Sequence, residues 1–391
     1  MPVYDLARLS GETAYRTIYF GTLDNYVPPS SRDAYLQPFS STSIWNTPIG
    51  NSATLVNSGL GPSPAGQTKI IAEEIFLGMD RTDPIKTLNN TATVNNTTVA
   101  ATTPLPATGI KVYSPATLAH DSTLNGISGF LAAEDIPAIN VVKDRTVIQG
   151  YPLVQVAGGN PAFHYVYPNS PNFVDVYTDG TLGSHIGSNL GGVGGTIRTW
   201  EWNSADNIAH ALALNVYGAL YLYFDANGGF RWPATKADTG YNTVGNPNYY
   251  GGTIPAMKMG ALLTLPLSFN ITGITDPNAR RIAWTLKNFG CYIVDNTGPA
   301  GGNGYYAFSV ETSAAASWTA APSTFHSQVL SLIPSLKVVD NNSSASIGGG
   351  GILRVPRPVE LVDPGVVTPP ATQSSLPSTT LLPGTTVLPS A

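Results

Sequence analysis

The residues best suited to chemistry lie in or beside one glycine-rich segment, residues 179–202. His185 and Arg198 belong to it, and His164 lies on a predicted strand that could face it. A histidine base that works with an arginine and a tyrosine can remove the proton beside a uronate carboxylate and stabilise the resulting anion. We therefore expect catalytic roles for His185, Arg198 and His164, of the kind that polysaccharide lyases use.

A structural interpretation of the same segment stays open. Glycines permit a left-handed backbone and a close approach of two chain segments, so the segment could be a tight bend between strands instead of a loop around a ligand. Each of the five histidines could likewise be a hydrogen-bonded structural residue.

Other reaction classes lack their motifs. The segment has neither the Gly-Lys-Ser/Thr end of a phosphate-binding loop nor Gly-x-Gly-x-x-Gly spacing, and no Gly-x-Ser-x-Gly elbow occurs. No histidine spacing indicates a metal site. The nearest carboxylate pair, Asp175 and Asp179, does not fit a glycosidase, because Asp179 and Gly180 together predict a turn. The sequence predicts no cofactor and no metal.

Aromatic residues offer a second kind of site. Sugar rings stack on flat aromatic faces, while amides and carboxylates bind their hydroxyls. Five aromatic residues lie near Asn and Gly in the sequence and are the candidate ligand-binding residues, namely Trp200, Trp202, Trp232, Tyr241 and Tyr249. Packing of the same rings into a core is an equally good interpretation.

The elements that must hold these residues are mostly strands. Short apolar runs alternate with Gly, Asn-Pro and Asn-Ser-Pro turns between about residues 108 and 270, at residues 141–149, 151–156, 163–167 and 173–177. The apolar run 216–224 predicts a central strand buried on both faces. We expect a mainly β protein, an antiparallel β-sandwich of jelly-roll type with two or three accessory helices.

The clearest of those helices follows Thr275-Asp276-Pro277, which supplies an N-cap and a first-turn proline, and it ends at Gly290. Shorter helices are predicted at residues 206–212 and 325–333. The single cysteine, Cys291, opens an apolar strand at 291–295, where a buried thiol is expected.

Composition limits the setting. Charged residues make up only 11% of the 391 residues, whereas Gly (40) and Pro (32) are abundant, a profile typical of fibre-like, secreted and virion proteins. Nineteen basic and 24 acidic residues give a net charge of −5 without a basic cluster, which argues against nucleic acid as a partner. We see neither a signal peptide nor a membrane span.

Three regions are predicted. Residues 1–40 form an irregular N-terminal arm, residues 41–355 form the β body with an Asn/Thr-rich stretch at 88–104, and residues 356–391 form an extended arm rich in Pro, Thr and Ser. The Asn/Thr-rich stretch could be a strand pair or a long loop. Arms of this composition order against a neighbour, so we expect them to bind other copies or other subunits of an assembly.

Several stretches together resemble a set of largely uncharacterised, mostly secreted bacterial β-proteins. They are residues 38–39, 43–48, 185–198, 208–212, 230–234, 259–266 and 292–295, among them Trp-Asn-Thr-Pro, Arg-Trp-Pro-Ala and Tyr-Ile-Val-Asp. The resemblance spans about residues 38–296 and implies an extracytoplasmic β protein that handles glycans or surfaces. It brings no established catalytic residues.

These observations predict a structural protein of a virion or similar extracellular particle, such as a tail fibre, spike or decoration subunit, that contacts glycans. A polysaccharide-degrading enzyme of lyase or glycosidase type and a secreted carbohydrate-binding module are the alternatives.

Overall fold

A computed structural model describes much of the chain. The described residues are 26–62, 66–78, 83–88, 91–94, 97–100, 110–114, 128–135, 146–155, 161–165, 173–183, 187–297 and 304–362. The predictions for His185, for residues 1–25 and for residues 363–391 therefore lie outside the described residues.

The described part is mainly β. Its strands are β1 Leu55–Asn57, β2 Ile71–Gly78, β3 Ile85–Leu88, β4 Thr91–Val94, β5 Thr97–Ala100, β6 Ile110–Tyr113, β7 Ser128–Asp135, β8 Thr146–Gln155, β9 Pro161–Tyr165, β10 Phe173–Asp175, β11 Leu212–Val216, β12 Leu262–Thr264, β13 Cys291–Asn296, β14 Ala307–Glu311 and β15 Lys337–Val339. Its α-helices are α1 Thr199–Asn203, α2 Gly218–Tyr221, α3 Pro277–Asn288, α4 Thr312–Thr319 and α5 Ser323–Leu332.

A mixed sheet forms the centre. Its strands follow the order β1-β15-β12-β13-β11-β14-β2, and β2 continues the sheet into β7, β6 and β3. Three neighbouring pairs run parallel: β11 with β13, β14 with β2, and β2 with β7. The expectation of a wholly antiparallel sheet was therefore wrong, because strands distant in sequence are joined by long crossovers instead of hairpins.

Helix content also exceeds the prediction of two or three, since five α-helices are described. Helix α3 begins as predicted: the Asp276 side chain accepts a hydrogen bond from the backbone N–H of Ala279 at 2.9 Å, and Pro277 occupies the first turn. It ends at Gly290, which has a φ of +77°. Helix α5 matches the prediction for residues 325–333.

Two local predictions were wrong. Residues 216–224 do not form a single strand, because β11 ends at Val216 and α2 begins at Gly218. The helix predicted at residues 206–212 is replaced by an irregular segment that leads into β11, and the helix lies earlier, at α1. In both places an apolar run was interrupted by tertiary packing that the local pattern does not encode.

The strand-rich part before residue 176 follows the sequence more closely. Strand β8 spans two of the predicted strands without a turn at Gly150, and it pairs antiparallel with β7, β9 and β10. The Asn/Thr-rich stretch contains the strand pair β4 and β5, the first of the two predicted possibilities.

The described ends of both predicted arms pack on the body of the same chain. Tyr35 and Phe39 are buried in the core. Near the other end, Leu361 joins the same core, and the Glu360 carboxylate accepts a hydrogen bond from the backbone N–H of Ser41 at 2.9 Å. The described residues up to Leu361 form one compact unit.

Candidate functional site

Three carboxyl side chains from distant parts of the sequence meet at one end of the central sheet. They are Glu73 on β2, Asp238 in the segment between α2 and β12, and Asp295 near the end of β13, and we call them the carboxyl cluster. The sequence analysis singled out none of them as catalytic, although Asp295 closes one of the stretches that carry the family resemblance.

The strand topology explains the meeting. In the parallel pair of β11 and β13, Asn215 lies opposite Asp295, and both residues are near the carboxyl ends of their strands. Strand β14 runs antiparallel to β11, and β2 runs parallel to β14, so the starts of β14 and β2 lie at this same end. Glu73, the third residue of β2, is placed there as well.

Two of these side chains accept hydrogen bonds from neighbouring residues. The Tyr250 hydroxyl donates to the Asp238 Oδ2 atom at 2.6 Å. The Asn215 side-chain amide donates to the Glu73 carboxyl.

Burial keeps protons on the cluster. Desolvation raises the pKa of Asp295 well above its usual value, and the neighbouring Asp238 and Glu73 raise it further. Burial also raises the pKa of Asp238 against the opposing hydrogen bond from Tyr250, and it raises the pKa of Glu73 against that from Asn215. Glu73 and Asp295 are nevertheless only partly buried, so solvent reaches the cluster.

The glycine-rich segment covers the cluster and packs on the core. A Cβ atom at Gly187 would lie 2.6 Å from the Asp295 Oδ1 atom. At Gly194 it would lie 2.2 Å from the Trp45 ring, and at Gly195, where φ is +75°, it would lie 2.5 Å from the same ring. The close approach of two chain segments that these glycines were expected to permit therefore occurs at Gly187, Gly194 and Gly195.

Of the predicted catalytic residues, Arg198 lies away from the carboxyl cluster. Arg198 is buried, its Nε atom donates to Glu311 at 3.2 Å, and its Nη1 atom donates to the Tyr35 carbonyl at 2.6 Å. Arg198 thus connects the N-terminal segment with β14 instead of facing the carboxyl cluster. His164 lies on β9, whose side chains are not among the described parts, and His185 also falls outside them.

Another histidine, His210, has both ring nitrogens in hydrogen bonds within the protein. His210 places its Nε2 atom 3.1 Å from the Glu201 carboxylate and its Nδ1 atom 2.8 Å from the Ala211 carbonyl. Burial opposes the charged form, but Glu201 outweighs it, so the pKa of His210 is raised. With both ring nitrogens engaged, His210 has no free nitrogen to act as a base.

The predicted aromatic residues fall into separate places. Trp202 is buried against Trp318 and Phe325, and Trp200 is 37% exposed on α1. Tyr241 and Tyr249 are partly buried and pack against Phe224. The partly buried Trp232 packs against the core.

One of these groups adjoins the carboxyl cluster. The ring centroids of Tyr241 and Tyr250 are 5.6 Å apart, and Tyr250 is the residue that binds Asp238. The predicted aromatic residues around Tyr241 therefore belong to the surroundings of the carboxyl cluster.

A groove of about 560 Å³ lies between α1 and the start of α3. We call it the tryptophan groove, since the two indoles of Trp202 and Trp284 line it together with amide, hydroxyl and guanidinium groups from Asn203, Ser204, Asn207, Asn278, Arg280 and Arg281. Trp284 is 2% exposed, and its indole N–H has no acceptor among the described residues. The Arg281 guanidinium donates hydrogen bonds to the backbone carbonyls of Glu201 and Asp206, whereas the Arg280 side chain is exposed.

Comparison with known proteins leaves the chain without a match. No family model, no curated protein and no solved structure matches it. Within the described ranges, no group of three or more His, Cys, Asp or Glu residues could hold a metal ion. No described helix is both long and apolar enough to pass through a membrane.

Proposed function

We propose that the protein is a glycan-binding surface component, and that it serves as a subunit of a virion or similar extracellular particle. The tryptophan groove is the observation that carries the binding proposal. Its volume of about 560 Å³ is of the size that holds a small ligand, and two indoles with several amides form its lining. Sugars suit this lining, because their hydroxyls bind amide, hydroxyl and guanidinium groups.

The exposed guanidinium of Arg280 adds to the argument. It lines the groove, and its N–H groups can donate to an oxygen of a bound sugar.

The proposal predicts saturable binding to at least one member of a panel of neutral, uronate-containing and amino-sugar-containing polysaccharides, measured by isothermal titration calorimetry. Replacing the exposed groove residues, Arg280→Ala and Asn203→Ala, should weaken the affinity about tenfold or more, since each change removes a polar contact of about 1.5 kcal/mol.

Trp200→Ala is the matched control. Trp200 is exposed on α1 beside the groove but does not line it, so its loss should leave the affinity unchanged. Binding that survives both groove variants but is lost in Trp200→Ala would move the site away from the groove. Absence of binding to every polysaccharide would overturn the proposal.

The particle assignment rests on the sequence: few charges, many turn residues and the composition of the two predicted arms. A family of secreted bacterial β-proteins stays part of this proposal on the strength of the shared stretches alone. We likewise keep the jelly-roll-like sandwich as a proposal for the region from β2 to β10, which is supported by the closeness of β9 to β3, β4 and β5.

A further inference from the structure

We propose that the tryptophan groove selects acidic glycans, and that the Arg280 guanidinium binds a uronate carboxylate of the ligand. The inference rests on the proposed glycan binding and adds the chemical class of the sugar to it. It is supported by the charge of the groove lining, by the position of the Arg280 side chain and by the neutral amides beside it.

The lining of the groove is positively charged. Arg280 and Arg281 are its ionisable side chains, and none of the described residues that line it is acidic. The negative charges of Glu201 and Asp206 act on the Arg281 guanidinium. By contrast, no described carboxylate lies within 4 Å of the Arg280 guanidinium, and the nearby Asp276 carboxyl accepts a backbone hydrogen bond at the start of α3. A negatively charged ligand would supply the counter-charge that Arg280 lacks.

One hydrogen bond restricts the exposed Arg280 side chain. Its Nε atom donates to the backbone carbonyl of Ile274 at 2.8 Å, and its two Nη atoms have no acceptor among the described residues. Two N–H donors in one plane match the two oxygens of a carboxylate, and such charged hydrogen bonds are stronger than those to a neutral hydroxyl. Because the contact with Ile274 already limits the side chain, less conformational entropy is lost when the ligand binds.

Neutral amides supply the contacts that a sugar needs besides its carboxylate. The side-chain amides of Asn203 and Asn207 line the groove and have no hydrogen-bond partner among the described residues. The Asn278 Oδ1 atom accepts a hydrogen bond from the Arg281 Nη1 atom at 3.2 Å, which leaves the Asn278 amide N–H groups for a ligand. An amide both donates and accepts, as does a sugar hydroxyl. One unpaired cation beside several amides therefore suits a sugar acid.

The charge of the whole chain does not favour polyanions. Nineteen basic and 24 acidic residues give a net charge of −5, so the protein as a whole repels an acidic polymer. A preference for acidic over neutral glycans would therefore have to come from a local site such as the groove.

The test compares polymers of galacturonate, glucuronate and mannuronate with their neutral, carboxyl-reduced forms, by isothermal titration calorimetry on the full-length protein. We expect at least one polyuronate to bind about tenfold or more tightly than its reduced form, because reduction removes the charged hydrogen bonds to Arg280. The preference should fall as the salt concentration rises, since exposed charge pairs are screened.

Three variants locate the preference. Arg280→Gln should abolish it. Asn203→Ala should weaken both members of a pair by a similar factor and leave the preference intact, because it removes a neutral contact. Arg357→Gln is the matched control: Arg357 is exposed and does not line the groove, so the loss of the same charge there should leave both affinities unchanged.

Equal binding of the acidic and neutral forms would overturn the inference and leave the proposed function intact. A preference that survives Arg280→Gln, or that is lost equally in Arg357→Gln, would also overturn it, because the charge would then act from outside the groove. Tighter binding of dextran sulfate than of every polyuronate would overturn the assignment of a carboxylate. Absence of binding to every polysaccharide would overturn the proposed function and this inference with it.

Discussion

The raised pKa of Asp295 comes from its burial and from side chains that are distant in the sequence, and not from the residues next to it in the chain. The adjacent residues 291–294 are a buried strand, and the carboxyl group follows them at the point where the sheet ends. It then faces Asp238 and Glu73, with Tyr250, Tyr305 and Lys236 as the other titratable groups of the site. Since three acids share one partly dry space, the fold favours their protonated forms.

This arrangement predicts a pH-dependent cost in stability. The folded-state pKa of Asp295 lies above the unfolded value, so its favourable contribution is complete below the unfolded pKa and is lost as the pH rises through the folded pKa. Asp295→Asn cannot ionise and should escape this loss. Relative to the wild type, the variant should therefore gain unfolding free energy between acidic and neutral pH, as measured by urea denaturation.

Asp179→Asn, at an exposed aspartate of the glycine-rich segment, serves as the comparison. A difference between Asp295→Asn and the wild type that stays constant with pH would mean that Asp295 does not hold its proton in the folded protein.

At the level of elements, the glycine-rich segment depends on the absence of side chains at particular positions. Gly194→Ala would place a methyl group against the buried Trp45 ring, and overpacking of this kind costs about 1 to 3 kcal/mol. Gly273→Ala has no atom within 4 Å of the added methyl group and should change stability by less than about 0.5 kcal/mol. Thermal unfolding of both variants checks the difference, and equal stabilities would contradict it.

Elements whose ends are marked by capping residues, prolines or glycines could be predicted from the sequence. The N-cap Asp276, the first-turn Pro277 and the terminal Gly290 define α3 within a few residues, and Cys291 is buried at the start of β13 as expected. The parallel pairing of β11 with β13 could not be predicted, because about 75 residues separate the two strands and no local pattern records their partner. The carboxyl cluster was missed for the same reason, since its acids are adjacent only after that pairing.

At the scale of the whole molecule, both ends of the body are fixed to each other. Glu360 accepts hydrogen bonds from the backbone N–H and the hydroxyl of Ser41. Although burial opposes it, these bonds hold the pKa of Glu360 below its usual value. The body therefore includes residues 26–40 and 356–361, which the sequence assigned to the arms.

Shortened chains separate the body from the proposed assembly contacts. A chain of residues 26–362 retains the buried core that the structure describes, so it should unfold in a single cooperative thermal transition. If the particle proposal is right, this chain should lose self-association or particle incorporation, as measured by size-exclusion chromatography with light scattering. A chain that begins at residue 41 should be much less stable, because it lacks the buried Tyr35 and Phe39.

The parallel pairing of β2 with β14 has a consequence for synthesis on the ribosome. These strands are neighbours in the sheet, yet more than 200 residues of chain lie between them. A loop of this length must close before β2 can pair with β14, and such distant contacts slow folding. Strand β7 can pair with one edge of β2 early in translation, but the other edge stays open until β14 has been made, and an exposed strand edge of this kind calls for a chaperone or a temporary cover.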